Sequence, residues 1–333
     1  MSMQSSSIII RGLGSYIPKK QLSNDDLAKI VDTSDEWIQT RTGIKTRHIA
    51  SMEENPSDMG TQAAETAIKN AGLNKKDIDL LVVATMTPDL PFPSTACITQ
   101  AKLGLRTIPA FDISAACSGF LYVLDTVYHL LRSGPYKNAL VIGAEKMSST
   151  LDWQDRTTCV LFGDAAGAAV LSKVDTPNVG ILGSTLGADG TDPSILHMPA
   201  GGAACPASAE SIEKRQHYLR MNGREVFRLA VRAMEQATRT ILDQFDLKPE
   251  DIACIIPHQA NVRIMQSLGK YLQVPEEKIF INLNKYGNTS AASIPVAITE
   301  AHKQGRIHPG DYVILVAFGA GLTWGATLIK WHS

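Results

Sequence analysis

The chain has 333 residues, of which 44% are hydrophobic and 20% are charged, a composition that allows a large buried core and about two domains. Its 32 Lys and Arg residues nearly balance 33 Asp and Glu residues, so the formal charge of −1 does not indicate nucleic acid or an acidic membrane surface as a partner. The five scattered cysteines, without a CxxC or HExxH motif, predict neither a disulfide framework nor a common zinc site.

The first residues, MSMQSSSIIIRG, contain neither the basic segment nor the long apolar run of a secretory signal peptide. No apolar run in the chain reaches the roughly 20 residues that a membrane-spanning helix requires. We therefore expect a soluble cytoplasmic protein that does not act in a membrane.

The hydrophobic pattern predicts alternating strands and helices. Continuous apolar runs predict buried strands at residues 7–10, 79–85, 139–144, 157–162, 167–171, 252–256, 279–283 and 313–318. Apolar residues at helical spacing predict helices at residues 24–31, 57–72, 95–103, 222–245 and 293–304, and near residues 117–134. Alternation of this kind predicts an α/β fold.

The second half of this pattern repeats the first half at a constant offset. Asp77 and Asp251, which each precede a buried strand, lie 174 positions apart, and the strand predicted at residues 139–144 has its counterpart 174 positions later. The repeat indicates an internal duplication. We therefore predict two duplicated α/β halves, residues 1–176 and 177–333, and a long functional or mobile loop at residues 187–210.

Cys117 lies at the turn from a short predicted strand into a strongly apolar helix. Small neighbouring residues leave space around its sulfur, and the unpaired N–H groups and positive dipole end of a helix favour a thiolate. The alternative is a buried cysteine that only packs as a small apolar side chain. We favour a reactive thiol.

Two polar side chains follow predicted strands of the second half. His258 comes directly after the strand at residues 252–256, and Asn288 follows the strand at residues 279–283. A single histidine is often structural, and an asparagine after a glycine is often a turn residue. Equivalent strand ends of duplicated halves would meet at one site, so with Cys117 these residues together predict nucleophilic catalysis.

The motifs AACSGF around Cys117, PHQANVR around His258 and YGNTSAAS around Asn288 closely resemble the signatures of the β-ketoacyl-[acyl-carrier-protein] synthase III family, whose members start bacterial fatty-acid synthesis. The likeness runs nearly from end to end, through VDTSDEWIQTRTGIKTRHIA, DRTTCVLFGDAAGAAVL and FGAGLTWGATLIKW. The resemblance implies a thiolase-like fold with two duplicated halves in a layered αβαβα arrangement. It also implies a homodimeric acyltransferase that needs no metal or redox cofactor.

The resemblance further implies a two-step reaction. Cys117 would take an acyl group from acyl-CoA as a thioester, and malonyl-acyl carrier protein would then lose CO₂ and attack it. His258 and Asn288 would donate N–H groups to the enolate. The acyl oxyanion would be held by the backbone N–H groups of Cys117 and of the segment around Ala320, where many relatives have three glycines. Ala320 would be strained there if the position requires a positive φ.

Further roles follow from the resemblance for residues that bind acyl-CoA. Trp37 and Arg156 would enclose the adenine, and Arg41 would lie near the phosphates. Asn261 and Phe318 are similar to residues that support and gate the site. The alternatives are an ordinary half-buried tryptophan and solvated arginines.

Two residues would set primer choice, which the sequence alone does not give. Phe92 resembles the residue that closes the acyl pocket of the partner subunit, and a packed loop aromatic is an equal alternative. Met147 would limit the depth of the same pocket.

A basic stripe occurs on the predicted helix at residues 222–245. Arg224, Arg228 and Arg232 recur every fourth residue on one face, which is either a solvated surface or a dock for an acidic partner. Acyl carrier protein is such a partner, and by resemblance Arg263 and Lys270 would extend the stripe. We favour docking.

Three other functions remain open at this level. A related thiolase-fold synthase making a quinolone or polyketide product would share Cys, His and Asn. A papain-like hydrolase also uses these residues in this chain order, but its local cysteine signature is absent here. A non-catalytic scaffold would not be expected to retain all three residues.

Overall fold

The computed structural model describes residues 6–332. Its strands are β1 (Ser7–Tyr16), β2 (Lys20–Ser23), β3 (Thr46–Ile49), β4 (Leu80–Ala84), β5 (Ala110–Ile113), β6 (Asn138–Lys146), β7 (Asp164–Val174), β8 (Gly180–Ala188), β9 (Leu196–His197), β10 (Arg220–Met221), β11 (Ile252–Pro257), β12 (Tyr312–Gly319) and β13 (Thr323–Lys330). Its helices are α1 (Asn24–Ala28), α2 (Asp35–Thr42), α3 (Pro56–Asn70), α4 (Thr95–Leu103), α5 (Gly119–Ser133), α6 (Ala209–Glu213), α7 (Gly223–Gln244), α8 (Val262–Leu272), α9 (Leu283–Tyr286) and α10 (Ser293–Lys303).

Two sheets with the same connectivity form the framework. The first has the strand order β1-β7-β6-β4-β5, and the second has the order β8-β13-β12-β11. In each sheet the first two pairings are antiparallel and the next is parallel. Ile279 forms a parallel bridge to β11 at the place that corresponds to β5. The predicted boundary near residue 176 lies in the connection between β7 and β8, and the exact boundary stays a prediction.

The offset read from the sequence recurs in the backbone. Each half has a short 3₁₀ turn before its central helix, at residues 116–118 and 290–292, and the helices begin at Gly119 and Ser293, 174 positions apart. The residues that open these turns both have a positive φ, 45° at Ala116 and 48° at Ser290. The predicted duplication is therefore present at the level of single turns.

Successive side chains of a strand point to opposite faces of its sheet, and helices pack on both faces of the two sheets, so that helices and sheets form five layers. Leu80 and Val82 of β4 face a central cluster with residues of α5 and α10, whereas Leu81 and Val83 face a second cluster with residues of α3. The outer face of the second sheet packs against α7 and α8. Both sheets are therefore covered on both faces, which explains the continuous apolar runs. The predicted αβαβα arrangement is confirmed.

Some sequence-based elements are wrong. Residues 157–162, predicted as a strand, form turns, and residues 279–283 contribute only a bridge before α9. The predicted break at residues 163–166 lies mostly within β7. The loop at residues 187–210 contains the end of β8, a 3₁₀ turn, β9 and the start of α6. A short apolar run indicates burial but does not by itself determine the backbone conformation.

Within residues 6–332, none of the helices is long and apolar enough to cross a bilayer.

Candidate active site

Cys117 lies in the 3₁₀ turn that precedes α5, and the second half of the chain holds this turn in place. The Ser118 hydroxyl donates to the carbonyl of Thr323 at 2.9 Å, and the Thr323 hydroxyl donates to the carbonyl of Ala115 at 3.0 Å. Gly319 packs so closely that a Cβ there would lie 2.7 Å from the Cys117 nitrogen. The position of the thiol therefore depends on contacts between the two halves.

The Cys117 thiol is buried, and its environment differs from the sequence-based expectation. Burial raises the pKa of this thiol to about 12, a hydrogen bond with the Ser290 hydroxyl lowers it, and the nearby Glu145 carboxylate raises it. This environment therefore disfavours the thiolate that the sequence predicted at the start of α5. Removing the sulfur from water outweighs the favourable end of α5, because desolvation always disfavours the charged form.

His258 follows the last parallel strand of the second sheet and is buried. Its Nδ1 lies 2.6 Å from the Ser293 hydroxyl, whose oxygen also lies 3.5 Å from the N–H of Gln259. Burial lowers the pKa of His258 to about 3, so the imidazole is neutral near pH 7. Since the Ser293 oxygen accepts from Gln259, its proton can be donated to Nδ1. In that arrangement the proton of the neutral ring would be on Nε2, which would make this nitrogen a donor.

Asn288 is oriented by its backbone and by its side-chain oxygen. Its N–H donates to the carbonyl of Leu161 at 2.8 Å, and its carbonyl accepts the N–H of Gly163 at 3.0 Å. The side-chain Oδ1 accepts the N–H of Ser290 at 2.8 Å. Because the oxygen is engaged there, the Nδ2 group is the part of the amide that is available as a donor.

Cys117, His258 and Asn288 line one cavity, with a free volume of about 790 Å³ that includes its open mouth. Phe318 and Asn261, for which the resemblance implied gating and supporting roles, also line it. Most of the other lining side chains are apolar and come from both halves. The site thus combines one thiol with two N–H donors in a largely apolar cavity.

The residues predicted to bind the adenine, Trp37 and Arg156, and Arg41, predicted near the phosphates, are close together at the surface near this cavity. The guanidinium of Arg41 lies 4.5 Å from the centroid of Trp37, and that of Arg156 lies 5.3 Å from it. A flat ring between Trp37 and Arg156 requires roughly 7 Å between them, twice a van der Waals contact. Arg156 would therefore have to move outward by about 2 Å, and it would leave its bond to Asp32.

Asn261 joins this surface to the cavity. Its side chain caps α8 by accepting the N–H of Arg263 at 2.9 Å and donates to the carbonyl of Arg41 at 3.1 Å. Arg263 in turn donates to the carbonyl of Thr40 at 2.7 Å. Helices α2 and α8 are thus tied together beside the cavity.

The two residues expected to set primer choice lie in different environments. Phe92 is 85% exposed, so it is not a packed loop aromatic within this chain. Met147 is fully buried in a small cluster with Leu219. Leu219 and Ala320 line a second, smaller cavity, and Met147, which packs in the same cluster as Leu219, lines neither of the two cavities. Leu196 lines both cavities, a role that no pattern in the sequence indicated.

The expected strain at Ala320 is absent. The residue of this segment with a positive φ is Gly321, at 138°, and Ala320 is not in that region. The alanine is therefore compatible with the turn that leads from β12 into β13.

The basic stripe on α7 is exposed but is not uniform. Arg228 forms an ion pair with Glu225 at 2.8 Å, whereas within residues 6–332 Arg224 and Arg232 have no such partner. Lys270 on α8 is exposed as well. Among these residues and Arg263, the positive charge without a carboxylate partner in residues 6–332 lies at Arg224, Arg232, Arg263 and Lys270.

Comparison with known proteins agrees with this geometry. The model of the family 3-Oxoacyl-[acyl-carrier-protein (ACP)] synthase III matches residues 111–190, and the model of its C-terminal part matches residues 242–331. A beta-ketoacyl-[acyl-carrier-protein] synthase III of Caldanaerobacter subterraneus subsp. tengcongensis is 54% identical over 97% of this chain and 97% of its own length. The chain belongs to this family.

Solved structures support the same assignment. The 3-oxoacyl-[acyl-carrier-protein] synthase III of Aquifex aeolicus VF5 is 50% identical, with a TM-score of 0.90, over 98% of this chain and all of that one. The priming beta-ketosynthase of the R1128 polyketide biosynthetic pathway is 34% identical, with a TM-score of 0.91, over 100% of this chain and 99% of that one. The thiolase-like fold is confirmed, and a papain-like hydrolase is excluded.

Proposed function

We propose that the protein catalyses the decarboxylative condensation of an acyl-CoA primer with malonyl-acyl carrier protein, through an acyl-Cys117 intermediate. This reaction begins fatty-acid synthesis. It needs no resident cofactor, because acyl-CoA supplies the activated acyl group and loss of CO₂ generates the carbon nucleophile.

The observation that carries this proposal is the pair of N–H donors beside the thiol. Loss of CO₂ from a malonyl thioester places negative charge on the thioester oxygen. Neutral His258, with a proton on Nε2, and the amide of Asn288 can both donate to that oxygen. Removing one donor of this kind from a buried site typically lowers kcat by about 10²–10³.

The surroundings of the cavity support the choice of substrates. Trp37, Arg41 and Arg156 offer an aromatic face and positive charge near the mouth, which suits the nucleotide and phosphates of CoA. The exposed arginines of α7 suit an acidic carrier protein. We infer that these two surfaces bind the two substrates in turn.

We also propose that the protein works as a homodimer in the cytoplasm. Strand β5 lies at the edge of the first sheet, and the nearby loop exposes Phe92. An open edge strand beside an exposed aromatic side chain is suited to pairing with another copy. All five cysteines are free, which suits a reducing compartment and a catalytic thiol.

The test is mass spectrometry of the intact protein after exposure to a panel of acyl-CoAs. We expect one acyl group per chain on Cys117, none on Cys117→Ala, and a β-ketoacyl-carrier protein after malonyl-acyl carrier protein is added. The added mass also identifies the primer. Acylation of Cys117→Ala would contradict the assignment of the nucleophile.

Priming of a polyketide pathway is the second candidate, since a priming ketosynthase is 34% identical over the whole chain. Deletion of the gene distinguishes the two. A requirement for added fatty acids would support the first function, whereas loss of a single specialised product with normal growth would support the second.

A further inference from the structure

The short antiparallel pairing of β2 with β3 has a counterpart in the second half. Leu22 pairs with Arg47 in the first half, and Leu196 pairs with Met221 in the second half, at the same offset of 174 positions. Met221 is an apolar residue that lines the cavity of the site. The backbone of this pairing therefore does not require a charged side chain, and the arginine of the first half needs another explanation.

Arg47 is fully buried. Its guanidinium donates to the carbonyl of Leu22 at 3.2 Å, to Oδ1 of Asn24 at 2.8 Å and to the carbonyl of Val160 at 2.6 Å. Within residues 6–332 no carboxylate forms an ion pair with it. Removing a cation from water without an anion as its partner costs free energy, so a role beyond packing is indicated.

The two ends of the guanidinium reach two different parts of the chain. Nη1 donates to Asn24, whose side chain donates in turn to Oδ1 of Asp35, at the start of α2, at 2.8 Å. Nη2 donates to Val160, in the turns that precede β7. Arg47 thus joins the first elements of the chain to the segment at residues 158–163.

The residues next to Val160 hold the backbone of Asn288 on both of its sides. The N–H of Asn288 donates to the carbonyl of Leu161 at 2.8 Å, and the carbonyl of Asn288 accepts the N–H of Gly163 at 3.0 Å. The carbonyl that Arg47 binds is therefore only one residue before the carbonyl that Asn288 binds. Any shift of this segment would move Asn288 with it.

The stem of Arg47 packs closely against the same backbone. A Cβ on Gly163 would lie 3.0 Å from the Cβ of Arg47, and a Cβ on Gly287, the residue before Asn288, would lie 3.3 Å from it. The segment therefore has little space to shift towards the arginine. The hydrogen bond from the guanidinium to Val160 resists a shift in the opposite direction.

We propose that Arg47 is a positioning residue for the donor amide of Asn288, a proposal that rests on the condensation proposed above. The guanidinium holds the Val160 carbonyl, the adjoining residues hold the backbone of Asn288, and the place of its Nδ2 in the cavity is thereby fixed. Arg47 itself does not line the cavity, so it acts through Asn288. The step that depends on it is loss of CO₂ from the malonyl thioester, in which the amide donates to the enolate oxygen.

The second donor of the site is held by other residues. Nδ1 of His258 lies 2.6 Å from the Ser293 hydroxyl, and the N–H of His258 donates to the carbonyl of Val316 at 2.7 Å. These partners belong to α10 and β12, to which Arg47 donates no hydrogen bond. Loss of the guanidinium should therefore weaken one donor and leave the other in place.

The experiment compares the two half-reactions in Arg47→Met, which keeps an unbranched apolar stem and removes the hydrogen-bond donors. Labelled CO₂ released by enzyme acylated beforehand reports decarboxylation, and a single turnover at saturating acyl-CoA, followed by mass spectrometry, reports acylation. We expect the maximal rate of decarboxylation to fall about ten- to a hundredfold, because a small misplacement of a donor is costly. The half-saturating concentration of malonyl-acyl carrier protein and the acylation rate should stay within about threefold of the wild type.

Two backgrounds show whether Arg47 acts through Asn288. In Asn288→Ala, adding Arg47→Met should slow decarboxylation by no more than about twofold, because the amide is already absent. In His258→Ala, the same change should still slow it about tenfold or more, because Asn288 is then the remaining side-chain donor. Ser172→Ala is the matched control for stability, since it loses a buried hydrogen bond to Asn138 at the other end of β7 and should leave both rates unchanged.

Arg47→Lys keeps the charge but replaces the planar fork with a single amino group. It should show the same selective loss to a smaller extent, and it decides alone if Arg47→Met fails to fold.

The remaining outcomes separate this proposal from the proposed function. Unchanged decarboxylation in Arg47→Met, equal slowing of both half-reactions, or an undiminished effect in the Asn288→Ala background would show that Arg47 only stabilises the fold. The proposed function would then still stand. If wild-type Cys117 is not acylated by any acyl-CoA, both proposals are wrong.

Discussion

His258 illustrates how one hydroxyl can determine what a catalytic side chain does. Nδ1 of the ring contacts Ser293, the first residue of α10, at 2.6 Å. A neutral imidazole can carry its proton on either nitrogen, and the hydrogen bond at one nitrogen determines the state of the other. A Ser293 proton donated to Nδ1 would leave Nε2–H as the donor that the proposed reaction requires.

Ser293→Ala should therefore slow decarboxylation about tenfold or more and leave acylation of Cys117 nearly unchanged. Release of labelled CO₂ from malonyl-acyl carrier protein by acylated enzyme measures decarboxylation. The mass of the intact protein after exposure to acyl-CoA measures acylation. Ser293→Thr keeps the hydroxyl and should recover much of the rate. Equal decarboxylation by the alanine variant and the wild type would show that Ser293 does not fix the ring.

Glu145 should make the stability of the folded protein depend on pH. Burial raises its pKa from 4.5 to about 7, so the folded state holds a proton that the unfolded state has already lost at intermediate pH. Below pH 4.5 the carboxyl is protonated in both states and costs nothing. As the pH rises to about 7, its penalty grows to the order of 3 kcal/mol.

The free energy of unfolding of Glu145→Gln, relative to the wild type, should therefore increase between pH 4.5 and pH 7 and then remain constant. Urea unfolding at several pH values measures this difference. Thr299→Val changes no titratable group, so its curve should run parallel to that of the wild type. A constant difference between Glu145→Gln and the wild type would mean that Glu145 is ionised in the folded protein at all these pH values.

At the scale of elements, the turn at residues 116–118 depends on β13. The Thr323 hydroxyl lies 3.0 Å from the carbonyls of both Ala115 and Ala320, so it bridges the nucleophile turn and the end of β12. Residues from one half therefore fix the nucleophile of the other half.

Thr323→Val should loosen this bridge at nearly constant volume. We expect a loss of stability of about 1–2 kcal/mol, because the carbonyls lose their donor, and a lower rate of acylation by acyl-CoA. Thermal unfolding and the single-turnover assay measure the two effects. Thr66→Val, on the exposed face of α3, is the control. Unchanged acylation in Thr323→Val would show that Gly319 and Ser118 suffice to hold the turn.

Individual elements show what the sequence can predict. The helix at residues 95–103 was predicted at its exact bounds, because Ser94 caps its start and Gly104, with φ 65°, ends it. Residues 157–162 were wrongly predicted as a strand. Their apolar side chains are buried beside the site, and the Val160 carbonyl accepts from buried Arg47, a partner that is distant in sequence. Such tertiary contacts carry no local signal.

At the scale of the molecule, the duplication builds an asymmetric site from two similar halves. Cys117 corresponds to Ala291 and Ser290 to Ala116, so each half contributes a group that the other lacks. The repeat and the motifs were sufficient to place Cys117, His258 and Asn288 at one cavity. Ser293 could not be identified from the sequence, because its hydrogen bond to His258 joins residues 35 positions apart in the chain.

The exposed arginines of α7 concern the proposed binding of a carrier protein to the whole molecule. Arg224 and Arg232 are exposed and lack ion-pair partners among the described residues, whereas Arg228 is paired with Glu225. Changing Arg224 and Arg232 should therefore weaken docking of an acidic partner without breaking an ion pair of the protein, whereas changing Arg228 would also break its pair with Glu225. Arg263 is a poorer choice, because its bond to Thr40 links α8 to α2.

Arg224→Glu combined with Arg232→Glu should raise KM for malonyl-acyl carrier protein about tenfold or more. KM for acyl-CoA should stay within about twofold, because surface charges of this kind act mainly on the encounter with the charged partner. The effect should shrink at 0.5 M salt, where the Debye length falls to a few ångströms. Lys29→Glu with Lys75→Glu, exposed lysines of the first half, is the control of equal charge change. An equal rise of KM in both double variants would mean that net charge, rather than the face of α7, attracts the carrier protein.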